Sequence, residues 1–90
     1  MTENELVAQL QHEGFSHIYV WEDVPNARYP DHTHRMETTH IILSGEMTLT
    51  MDGRSQTYHV GSRCNVPAGA RHSAIMGPHG CRYIIGERKS

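Results

Sequence analysis

Ninety residues and 10.2 kDa hold one domain, because two hydrophobic cores need a longer chain. Ten Asp and Glu against eight Lys and Arg give a formal charge of -2, which argues against the clustered basic surface of a nucleic-acid binder. No apolar run approaches the roughly 20 residues of a membrane-spanning helix, and the polar, acidic opening MTENELVAQL is unlike a secretory signal.

The first fourteen residues read as a short helix. Thr2 followed by Glu5 has the form of a capping box, and Leu6 and Leu10 fall on one face with Val7 beside them. Gly14 stands where a left-handed C-terminal residue is wanted. Residues 15–90 then form a single domain of short strands. His17 to Glu22 is rich in β-branched and aromatic residues, and Pro25-Asn26 ends it. Thr38 to Ser44 is a further run. Glu46 to Met51 alternates, with Met47, Leu49 and Met51 on one face. Asp52-Gly53 is a strong two-residue hairpin signal, with Arg54 to Val60 as the return strand. Glycine and proline punctuate the remainder, from Gly61 and Pro67 to Gly80. Many short strands and no second helix predict an all-β sandwich or barrel.

Chemistry concentrates in Pro30-Asp31-His32-Thr33-His34. On an extended strand, side chains two apart point to the same side, with their roots about 6–7 Å apart. Both imidazoles can then converge on one cation. Gly45 follows eleven residues after His34, and downstream Gly61, Pro67, Gly69 and His72 stand in the order Gly, five residues, Pro-x-Gly, two residues, His. This arrangement resembles the paired motifs of the cupin superfamily, in which a glycine precedes His-x-His, and a Glu and a Gly follow it. Seven positions fall in register without insertion, and the likeness spans residues 26 to 76. Asn26 replaces the opening glycine and also tolerates left-handed backbone.

The resemblance implies a small antiparallel double-sheet barrel of jelly-roll type behind the N-terminal helix. It also implies a divalent transition metal and a homodimer, which would cover strand edges that so short a chain leaves open. The expected metal ligands are His32, His34 and His72. Two departures stand out. Thr38 occupies the position of the family's Glu, and Met76 that of the second motif's Asn. Glu37 lies one residue early and faces the opposite side unless a bulge turns it. His40 shares the parity of Thr38 and is the local candidate for a fourth ligand, one pleat farther along. Imidazole ligands suit Fe, Cu, Ni or Zn, with Mn also open, better than Mg or Ca. A histidine-only site leaves the double positive charge uncompensated and favours a small anionic ligand.

Metal-assisted oxygenation or isomerisation of a small anionic metabolite is one functional expectation; a non-catalytic ligand- or metal-binding module is the other. No inward Asp or Glu is identifiable as a general base, which leaves His40 or a tyrosine. Arg28, Tyr29 and Tyr83 are candidate ligand contacts. Met47, Leu49, Met51, Tyr58 and Ile42 are expected to line the interior. Cys64 alternates with Val66 and should face inward as a small hydrophobe. His12, His17, His59 and His79 are expected at the surface. Cys64 and Cys81, without a CxxC, read as reduced thiols of a cytoplasmic protein.

Overall fold

The structure, a computed structural model, describes residues 1–89. Helix α1 covers Glu3–His12, and six strands follow: β1 Ser16–Asp23, β2 Arg28–His32, β3 Glu37–Met51, β4 Arg54–Tyr58, β5 Arg63–Val66 and β6 His72–Arg88. The capping box is formed. Thr2 Oγ1 accepts from the Glu5 amide at 3.1 Å, and the Glu5 carboxylate accepts from the Thr2 amide at 2.9 Å. Gly14 ends the helix at φ +96°, the left-handed conformation expected of it.

All strand pairing is antiparallel, and the two long strands organise it. β3 and β6 pair along their whole lengths, from Glu37↔Arg88 to Met51↔His72. The first half of β3 carries β5 on its other edge, and its second half carries β4. In the same way β6 carries β2 at its start and β1 at its end. The result is two halves of one sheet folded against each other, the jelly-roll architecture, left open at its edges rather than closed into a barrel.

The two runs expected on either side of Gly45 are one continuous strand that bends there. The β3–β6 register shifts between Ile42 and Ser44 and again between Gly45 and Met47. Gly45 sits at φ +74°, and a Cβ on it would collide with the Gly80 carbonyl of the facing strand. The fold therefore turns where two glycine backbones come together.

Alternation along β3 and β6 sorts the core. Odd positions of β3's first half, such as Ile41, meet Ile84, Phe15 and Leu10 of the helix on the outer face. Even positions point inward, and Ile42 joins Tyr83, Met47 and Met76. Cys64 and Val66 are buried with Leu49 as expected, and both cysteines are free thiols. Met51 and Tyr58 pack against that group. At the hairpin, Asp52 and Gly53 both adopt positive φ, 54° and 75°, which is the pattern of a type I′ turn. No described helix is long and apolar enough to cross a membrane.

Candidate metal centre

His32 closes β2 and pairs with His72, the first residue of β6. That ladder contact brings the two motifs together. His34 lies beyond the end of β2, so the HxH pair is not wholly on a strand; the chain leaves the sheet after His32. The rings converge all the same. Ring centroids of His32, His34 and His72 are 4.3–4.7 Å apart, and one nitrogen from each lies within 4.8 Å of the others.

The hydrogen bonds fix which nitrogens face inward. His32 Nδ1 lies 2.7 Å from the Pro30 carbonyl and His72 Nδ1 lies 3.0 Å from the Ala70 carbonyl. A carbonyl only accepts, so both Nδ1 atoms carry the proton and both Nε2 atoms keep a free lone pair. His32 Nε2 faces His34 Nε2 at 3.1 Å. Backbone carbonyls that orient imidazoles through the remote nitrogen are the usual support of a metal-binding histidine. The donor set therefore fits a transition metal. Burial, reinforced by His72 and His32, holds His34 below the ordinary histidine range, which favours the neutral ring with one nitrogen lone pair free.

His40 lines the same cavity but stands outside the group of three. It is buried, and its ring lies 5.5 Å from that of Tyr83. Burial pushes its pKa down to about 4, with His34 and His72 adding to the depression. Thr38, in the position of the family's Glu, is buried too. Among the described residues, Thr38 Oγ1, His40 Nδ1 and His34 Nδ1 are buried polar atoms without a hydrogen-bond partner. Glu37 is not turned inward by a bulge: its carboxylate is held on the other side by Arg88 in two contacts of 3.1 Å.

The cavity measures about 280 Å³ and is lined by Tyr19, Trp21, Tyr29, His32, His34, His40, Met47, Leu49, His72, Ala74, Met76, Tyr83 and Ile85. Tyr29 and Tyr83 are thus where a ligand contact was expected. Arg28 is not; its neighbour faces inward, so it is exposed on the other side of β2. His12, His17, His59 and His79 are all exposed, as expected of unpartnered spacing.

Among the described residues no Asp or Glu lines the cavity, but Asp23, which sequence reasoning missed, lies behind three of the lining rings. Its Oδ1 accepts from Tyr29 Oη at 2.6 Å and from Trp21 Nε1 at 3.0 Å, and its Oδ2 accepts from Tyr83 Oη at 2.8 Å. Strand parity carried the signal, since Tyr19, Trp21 and Asp23 alternate along β1. Burial, followed by the Asp23 contacts, raises both phenols above the ordinary tyrosine value.

The sequence model of the cupin domain matches residues 19–83. This chain belongs to the cupin family. Solved structures share its fold at low identity. A cupin domain from Schizosaccharomyces pombe superposes with a TM-score of 0.76 at 19% identity, covering 86% of this cupin and 57% of its own chain. An RmlC-like cupin from Shewanella frigidimarina gives 0.71 at 22% identity over 81% of this chain and 65% of its own. The DMSP lyase DddQ from Ruegeria pomeroyi gives 0.73 at 24%, over 81% and 38% respectively. This cupin spans less than two thirds of each of these structures. No curated protein matches it.

Proposed function

We propose that this cupin binds a divalent transition metal through His32, His34 and His72 and presents it to a small anionic ligand in the adjoining cavity. The observation that carries this reading is the pair of backbone-anchored imidazoles, His32 and His72, that converge with His34 so that one nitrogen of each lies within 4.8 Å of the others. Iron, copper, nickel, zinc and manganese all accept imidazole donors. A bound divalent ion supplies a Lewis acid, and with a redox-active metal an oxygen-binding centre, for oxygenation or isomerisation of the ligand. His32, His34 and His72 orient the site; Tyr29, Tyr83 and Trp21 wall it; Met47 and Leu49 exclude water. His40 remains a candidate fourth ligand beside that group.

A second reading, a binding module without turnover, is favoured by the titration behaviour of the lining. His40 is a weak base when its pKa lies at about 4, and Tyr83 is held well above the ordinary phenol value. Neither is poised near neutral pH, where a general acid or base works best. The two readings separate in one experiment. Protein purified without an affinity tag is assayed for metal, reconstituted anaerobically with Fe(II), and followed for oxygen uptake and substrate loss over a panel of small anions. Near-stoichiometric metal with turnover supports the enzyme; metal and ligand binding without turnover supports the module. Absence of any stoichiometric metal overturns both.

A further inference from the structure

Four of the chain's six Phe, Trp and Tyr side chains border one cavity: Tyr19 and Trp21 from β1, Tyr29 from β2 and Tyr83 from β6. Their placement is fixed by backbone and side chain together. Trp21 stands opposite Tyr83 in the β1–β6 ladder, and Asp23 accepts one hydrogen bond from each of Trp21, Tyr29 and Tyr83. The polar ends of three rings are thereby spent on one carboxylate, and hydrocarbon surface is what they have left to offer a ligand. Both phenols stay protonated through neutral pH, so the tie persists there.

Charge completes the argument. Among the described residues that line the cavity, none is Lys, Arg, Asp or Glu, and apart from the histidines the remaining lining is aliphatic or thioether. A second carboxylate or a phosphate on the ligand would enter without a counter-ion, at a large desolvation cost. A cationic body would gain from the rings, but Asp23 does not line the cavity and both its oxygens are engaged by three donors, and a divalent ion on the histidines repels a cation. The volume, about 280 Å³, suits a small ligand.

We propose that the cavity selects a small monoanion, with its anionic atom toward the histidines and an uncharged apolar body against the aromatic wall. Asp23 is the positioning residue that holds that wall. This rests on the metal reading above, and the test separates the two. Trp21 is the only tryptophan in the chain, so its fluorescence reports binding at the wall directly. Zinc-loaded protein is titrated with acetate, 3,3-dimethylbutanoate, glycine betaine and succinate, with calorimetry in parallel. The last three match in non-hydrogen atom count and differ in the charge of the body: none, positive, negative. The expected order places 3,3-dimethylbutanoate first, about tenfold or more tighter than acetate and succinate, and tighter than betaine.

Binding of all four within about threefold of one another, or betaine first, overturns the proposal while leaving the metal reading intact. Failure of zinc itself to bind overturns the metal reading instead. Asp23→Asn keeps the shape of the side chain and removes its second acceptor oxygen. It is expected to bind zinc stoichiometrically and to lose most of the preference for 3,3-dimethylbutanoate over acetate. Retention of the full preference shows that Asp23 does not position the wall. Should that variant fail to fold, Tyr29→Phe removes one tie while keeping the ring, and a reduced preference with a changed Trp21 emission is the expected readout.

Discussion

The buried state of His40 makes a quantitative prediction for stability against pH. The side chain is 7% exposed and its Nδ1 has no partner. Burial holds its pKa down at about 4 in the folded protein, against about 6.5 in an unfolded chain. Between those values the unfolded state takes up a proton that the folded state refuses. Stability is therefore full above about pH 6.5 and falls as the pH drops toward 4. The gap of about 2.5 units, at about 1.36 kcal/mol each, makes the loss about 3 kcal/mol. That is a large share of the 5–15 kcal/mol typical of a domain. Urea unfolding of metal-free protein, in chelator, at steps from pH 4.5 to 7.5 measures it. His40→Gln removes the titration while keeping a polar side chain. The difference between wild type and variant isolates the effect, because His34, Glu5 and Glu13, which also depart from their ordinary values, contribute to both proteins. The difference should slope by up to one proton per molecule across this range. A difference that is flat with pH refutes the argument, whatever its absolute size.

Metal binding should raise the melting temperature, and excess chelator should reverse the gain; ligand at about 100-fold over its Kd contributes about 2.7 kcal/mol. His72→Ala is expected to abolish that gain, read as loss of any zinc-dependent shift by scanning fluorimetry. Metal affinity should weaken as pH falls below about 6.5, since ligating imidazoles must be unprotonated; calorimetry at pH 5.5 and 7.5 checks the direction, and equal affinity contradicts a histidine-only site. Gly45→Ala should cost at least about 2 kcal/mol in urea unfolding, because it combines a positive φ with a Cβ set against the Gly80 carbonyl. Light scattering tests the expected homodimer, for which the exposed Val20 and Val24, along and just beyond edge strand β1, offer apolar surface outside the cavity.

Most of the framework was legible because local rules and chain topology agree. The hairpin at Asp52-Gly53, the cap at Thr2 and the left-handed Asn26, at φ 62°, each depend on a few adjacent residues. The meeting of His32 with His72 was legible for another reason: the spacing of two motifs fixes where the first ladder pair of β2 and β6 forms. The period of two also set the side of Glu37 correctly, away from the site. It could not set depth. His40 shares that inward side, yet position along a strand decides reach, and the bend at Gly45 lies between the half-strand that carries His40 and the half that pairs with His72.

Asp23 shows what pattern reading overlooks and why. As a charged residue at the end of a strand, next to the Pro25 turn, it has the sequence context of a solvated terminus. Its role depends on three donors, of which Tyr29 is six residues away and Tyr83 is sixty. Only the β1–β6 pairing that sets Trp21 against Tyr83 brings the last of them within reach. A carboxylate that stands outside the cavity lining, with both oxygens engaged by three donors, does not restore the general base that the sequence lacked. It changes the question instead. The chain spends the Asp23 carboxylate on shaping a wall and the clustered imidazoles on gathering lone pairs, and discrimination between ligands is where that division of labour has its effect.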